Sequence, residues 1–170
     1  MKTSDRWIPL ASVARPHGVR GEVRLDLYNK DSDFLLACDE VLVRLKNGKE
    51  HEVSVVGARR ADKTILLKLY SLDDRDDAEK IRGAVICVRR SDFPPLEEGE
   101  FYACDVEGAE VRLGKKRVGV VERFVEYPTA FAFLVKKDDG GTIEIPVTED
   151  YVEEVDAENG VVVVSTLEDL

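Results

Sequence analysis

Catalysis needs reactive side chains within reach of one another, and this 170-residue chain places few of them that way. Its two histidines, His17 and His51, are far apart and lack ligand spacing. A general base at His17 would need a nucleophile or a second acid–base group beside it, and the neighbouring residues offer none. Cys38, Cys87 and Cys104 are odd in number and never form a CxxC pair. Neither a zinc site nor a disulfide framework is therefore expected. Each cysteine reads as a small apolar strand residue. No phosphate loop, nucleophile elbow or metal signature is present. The acids between residues 73 and 77 read as a helix start, where the dipole favours carboxylates. The expectation is recognition of other macromolecules, with no catalytic centre, no cofactor and no metal.

Three groups of residues suit recognition. Arg15, Arg59, Arg60, Arg89 and Arg90 can make bidentate phosphate contacts. They would form an RNA-facing patch if the fold gathers them, and plain solvated charge if it does not. His17-Gly18-Val19-Arg20-Gly21 is a tight turn whose glycines permit backbone conformations that other residues resist. It would present His17 and Arg20 at a barrel rim, as a contact loop to RNA or protein or as a purely structural turn. Glu22 is placed to pair with Arg20 or Arg24. Phe101 and Tyr102 follow a stretch rich in proline and glutamate. Neighbours on an extended chain point to opposite sides, so one ring can pack inward while the other anchors a partner. The alternative is that both rings pack between the domains.

Charge is divided unevenly. Residues 1–92 carry +2 and residues 93–170 carry −12, within a net −10. The first part tolerates a phosphate backbone, whereas the second repels one and attracts a basic protein. No stretch approaches the roughly 20 apolar residues of a bilayer span. Residues 1–6 lack the apolar core of a secretion signal. A cytoplasmic protein with no membrane association is expected.

These groups must be positioned mainly by strands, because alternation is common and helical periodicity scarce. Val23, Leu25 and Leu27 fall on one face, and Glu22, Arg24 and Asp26 on the other. Further strands are expected near residues 8–14, 41–45, 53–58, 64–69 and 84–88. Asn47-Gly48 reads as a two-residue hairpin turn with positive φ at both positions. One short helix is expected, capped by Asp73 or Asp74 and ended by Gly83. Six strands and one helix fit a small closed barrel over residues 1–92. The proline-rich residues 93–100 read as a semi-rigid linker. Residues 101–170 repeat the strand–turn rhythm, with turns at Asp138-Asp139-Gly140-Gly141 and Asn159-Gly160, and Pro146 at an edge or strand end. The fold class is all-β, with two small barrels.

Several segments in order resemble the RimM family of bacterial ribosome maturation factors. They are His17-Gly18-Val19-Arg20-Gly21-Glu22-Val23; Ala78-Glu79-Lys80-Ile81-Arg82-Gly83-Ala84-Val85-Ile86; Leu96-Glu97-Glu98-Gly99-Glu100-Phe101-Tyr102; and Asp105-Val106-Glu107-Gly108-Ala109-Glu110-Val111. Val118-Gly119-Val120-Val121, Ile145-Pro146 and Val155-Asp156 continue the series. The resemblance implies a six-stranded N-terminal barrel similar to the second domain of elongation factor Tu, and a C-terminal PRC-type barrel. It implies a non-enzymatic role in 16S rRNA processing and assembly of the 30S head. The implied partners are the immature 30S subunit and the small-subunit head ribosomal protein number nineteen. Phe101-Tyr102 stands where that family carries an aromatic pair tied to subunit binding. A monomer is expected.

Overall fold

The computed structural model describes residues 6–97 and 100–170. Residues 1–5, and Glu98 and Gly99, which fall in the expected linker, lie outside the described residues. The chain divides into two units, Met1–Pro95 and Leu96–Leu170.

In the first unit, β1 (Trp7–His17), β2 (Glu22–Leu27), β3 (Glu40–Arg44), β4 (Glu50–Ala61), β5 (Thr64–Leu69) and β6 (Val85–Arg89) form a closed barrel. The order is β1-β2-β5-β4-β3-β6, with β6 returning to pair with β1. Alternation sets the inner face: Val23, Leu25 and Leu27 are buried and Asp26 is exposed. Ala11, Val13, Val41, Val43, Ile65, Leu67, Ile86 and Val88 complete the centre of the core. The long strands β1 and β4 change register at Pro9/Ala11, Val13/Arg15 and Val55/Gly57. Such bulges bend a strand and raise its twist, which a barrel this small requires.

A short helix, α1 (Arg75–Lys80), follows β5. Asp74 is its N-cap, accepting from Asp77 N at 2.8 Å. Ala78 and Ile81 bury its inner side against the barrel core. The turn at Asn47-Gly48 differs from expectation. Gly48 has φ +88°, whereas Asn47 is not among the residues with positive φ. Gly48 N donates to Leu45 O at 2.9 Å and Leu45 N to Lys49 O at 2.8 Å. This is the three-residue loop in which a type I turn is followed by a left-handed glycine. Only the glycine needs the positive φ, and the Asn47 carboxamide oxygen instead accepts from Lys49 N at 2.9 Å.

In the second unit, β7 (Glu110–Leu113), β8 (Lys116–Tyr127), β9 (Ala130–Lys137), β10 (Thr142–Pro146), β11 (Val152–Asp156) and β12 (Val161–Val164) run in the order β10-β9-β8-β7-β12-β11. Only β12 and β7 pair in parallel. Ile145 from one edge strand and Val152 and Val155 from the other pack on the same cluster, around Phe133, Val135 and Val162. Flat strands spaced ~4.8 Å apart would hold those edges roughly 24 Å from each other. The sheet therefore curls into a second barrel, and the fold is all-β. Pro146 ends the edge strand β10, where a missing N–H is tolerated. A single helical turn, α2 (Ala103–Val106), precedes β7 and buries Val106. Alternation had not announced it. No helix among the described residues is long and apolar enough to cross a membrane.

Candidate binding surfaces

The β1–β2 turn is built by close backbone approach. Gly21 has φ +90°, and a Cβ there would stand 1.9 Å from Leu72 O. Arg75 of α1 donates to Gly18 O at 3.1 Å, tying the turn to the helix. His17, the last residue of β1, is half-buried opposite Glu22. Arg20 is exposed, and Val19 beside it is 74% exposed. The structure thus presents Arg20 and half of His17 at the end of the first barrel. Glu22 pairs with neither Arg20 nor Arg24. Its carboxylate takes the Arg59 guanidinium through two hydrogen bonds of 3.3 Å, from a residue 37 positions along the chain. The reason is topological: β2 and β4 both flank β5, which brings β4 side chains within reach of β2.

The five predicted arginines are not gathered into one patch. Arg15 stands opposite Arg24, Arg24 opposite Leu66, and Leu66 opposite Arg59. These positions make one row across β1, β2, β5 and β4, on a face where Arg15 and Arg59 are exposed. Arg60 belongs to another contact, donating to Asp33, to Ser32 O at 2.8 Å and to Lys30 O at 3.2 Å. It clamps the β2–β3 connection. Arg89 pairs with Glu40 at 2.7 Å and lies 4.7 Å from the Trp7 ring centre. Arg90 lies 5.2 Å from the Phe93 ring centre. Arg89 is opposite Trp7, eight residues from Arg15 on β1, which is roughly 25 Å at strand rise. A groove of about 520 Å³ runs beside the Arg15 row and is lined by Arg24, Lys30 and Lys63 along with Asp26 and Asp62. Lys30 and Lys63 add to the row that already holds Arg15 and Arg24 as further basic residues beside it. They escaped the sequence reading because their nearness depends on strand pairing.

Phe101 and Tyr102 stand at the entry to α2. Phe101 is half-buried on the second core, with its ring 5.9 Å from both Phe124 and Phe133. Tyr102 is the N-cap position of α2, and its carbonyl accepts from Asp105 N at 2.9 Å. It is half-buried. Phe124 and Phe131 extend this aromatic group along β8 and β9. The signal for them was local, since Phe131 and Phe133 alternate on one face of a strand. Nearby, the Tyr127 hydroxyl donates to Glu144, and that bond holds its pKa above the ordinary phenol value.

The model of the RimM N-terminal domain matches residues 8–93, and that of the RimM PRC barrel domain matches residues 102–170. The chain belongs to the RimM family. A RimM relative from Sorangium cellulosum, named ribosome maturation factor RimM, is 48% identical over 97% of this chain and 98% of its own length. Relatives of the same name from Pseudomonas fluorescens and Myxococcus xanthus are 32% and 30% identical, over 92% and 93% of this chain and 90% and 85% of their own lengths. The RimM N-terminal match takes in the glycine turn, the Arg15 row and the groove. The RimM PRC barrel match begins at Tyr102 and takes in α2, Phe124 and Phe131.

Proposed function

We propose that this chain is a ribosome maturation factor that acts in the cytoplasm, as a monomer and without catalysis. It binds the head of the immature 30S subunit through ribosomal protein number nineteen and assists 16S rRNA processing and 30S assembly. The observation that carries this reading is the match to RimM domains across both barrels. The split in charge supports a division of labour. Residues 1–92, at +2, lie near RNA through Arg15, Arg20 and Arg59, with His17 at the same rim. Residues 101–170, beyond the linker at residues 93–100, take the basic protein. The residues from 93 onward carry −12, which steers a cationic partner toward them. Arg60, Arg89 and Arg90 are engaged by Asp33, Glu40 and Phe93 and act first in holding the barrel together. Phe101 and Tyr102 shape the partner surface from the entry to α2.

An assembly factor shifts its substrate only through differential affinity. It must bind the immature head more tightly than the finished one, and leave as that difference disappears. The test is sedimentation of the purified chain with precursor and mature 30S subunits. Retention on the precursor and release from the mature subunit is expected. Equal retention on both contradicts the mechanism, and retention on neither contradicts the function.

A further inference from the structure

The aromatic rings of the second unit form a column that leaves the core at one end. Phe133 is fully buried on β9. Phe124 stands opposite it in the β8–β9 register, with ring centres 5.9 Å apart. Two residues earlier on β9, on the same face, Phe131 stacks on Phe124 at 5.5 Å with 20° between the planes. Phe101 meets Phe124 edge-on at 5.9 Å and 86°. The column thus begins in the core and ends at Phe131, which is 47% exposed. Two carboxylates lie beside the column, one at Phe131 and one at Phe124. Glu126 is directly opposite Phe131 in the register, which places the two side chains next to each other on one face. Glu107 accepts from Phe124 N at 3.4 Å. Both glutamates are exposed.

A ring held from behind by stacking loses little freedom when a partner covers it, which is the character of an interface anchor. Its open face attracts a guanidinium or ammonium through the ring quadrupole. The carboxylates beside it complement the same charge. A phosphate backbone would meet that carboxylate rim, in the part of the chain that carries −12. We propose that Phe131, backed by Phe124 and flanked by Glu107 and Glu126, is the anchor on which an arginine- or lysine-rich segment of a protein partner docks. This rests on the ribosomal reading above and names the surface of the second unit that takes the basic head protein.

The experiment uses the full chain, fluorescently labelled ribosomal protein number nineteen as the probe, and a 16S RNA head fragment in a parallel arm. Phe131→Ser is expected to weaken protein binding about tenfold or more, the range of an aromatic hot spot. Phe131→Tyr keeps the ring and restores binding. The double variant Glu107→Gln with Glu126→Gln weakens binding at low salt and converges on the wild type at high salt. Thermal unfolding of each variant is measured alongside. Wild-type binding that survives Phe131→Ser unchanged overturns the docking site and leaves the ribosomal role standing. A wild type that ignores the protein probe overturns both. Loss of RNA binding alone, or a change in oligomeric state, assigns the ring to a different occupant and also overturns the proposal. If Phe131→Ser unfolds the unit, Phe131→Leu tests the same point: it keeps apolar bulk, and binding equal to wild type removes the aromatic contribution.

Discussion

Gly21→Ala separates two effects that a single glycine usually confounds. Gly18 and Gly21 both have positive φ, +67° and +90°. A Cβ at Gly18 meets nothing within 4 Å, whereas one at Gly21 meets Leu72 O at 1.9 Å and Leu72 C at 2.6 Å. Alanine at Gly18 therefore carries only the left-handed penalty, about 1 kcal/mol. Alanine at Gly21 carries that penalty and must also push one backbone segment off another. Overpacking costs about 1–3 kcal/mol, and more where the obstacle cannot rotate away. The sum is about 2–4 kcal/mol or more, a large part of the roughly 5–15 kcal/mol that holds a domain folded. At about 4–8 °C per kcal/mol for a domain of this size, Gly18→Ala lowers Tm by about 4–8 °C and Gly21→Ala by about 8 °C or more, always beyond the Gly18 variant. Differential scanning calorimetry of the full chain reads both. If Gly21→Ala is no more destabilising than Gly18→Ala, the close approach to Leu72 does not govern this turn and the reasoning fails.

Gly119 tests close approach without positive φ, since its added Cβ would lie 2.1 Å from Lys136 O on β9. Gly119→Ala is expected to destabilise the second unit by about 1–3 kcal/mol in urea unfolding, and an unchanged midpoint would contradict this. Asp74→Ala removes the side-chain acceptor at the start of α1 and is expected to lower stability by about 1 kcal/mol, against no effect from a mere surface substitution. Burial first, then Asp92 and Asp39, pushes the Cys38 thiol up from its ordinary 9.0 to about 11. The thiol is the neutral form, so the folded state holds this proton more tightly than the unfolded one. Its contribution to stability is full below pH 9.0 and is lost as pH rises through about 11. Cys38 should therefore react with a disulfide reagent at pH 8 more slowly than a free thiol, and equal rates would refute the shift.

The local features were legible where a residue's own neighbours decide its state. The alternation of Val23, Leu25 and Leu27 predicted a buried face, and those residues are buried. Asp73 or Asp74 was the expected cap, and the structure uses Asp74, to which Asp77 N donates. At Asn47-Gly48 the turn was legible but its type was not, because a two-residue and a three-residue loop share the same dipeptide. The site residues were less accessible. Of five arginines chosen by type, Arg15 and Arg59 share one row while Arg60, Arg89 and Arg90 make other contacts, and Lys30 and Lys63 joined Arg24 in a groove that type alone does not foreshadow.

Period, capping and charge act over a few residues, so the strands, the helix start and the anionic character of the second part can be read along the chain. Pairing acts across it. Glu22 meets Arg59, β7 meets β12 in parallel, and Phe101 meets Phe124 because folding each sheet brings distant segments together. A shift of one residue in the strand register would turn every side chain to the other face. Which cations share a surface, and which ring of the aromatic column reaches solvent, therefore follow from how the barrels close.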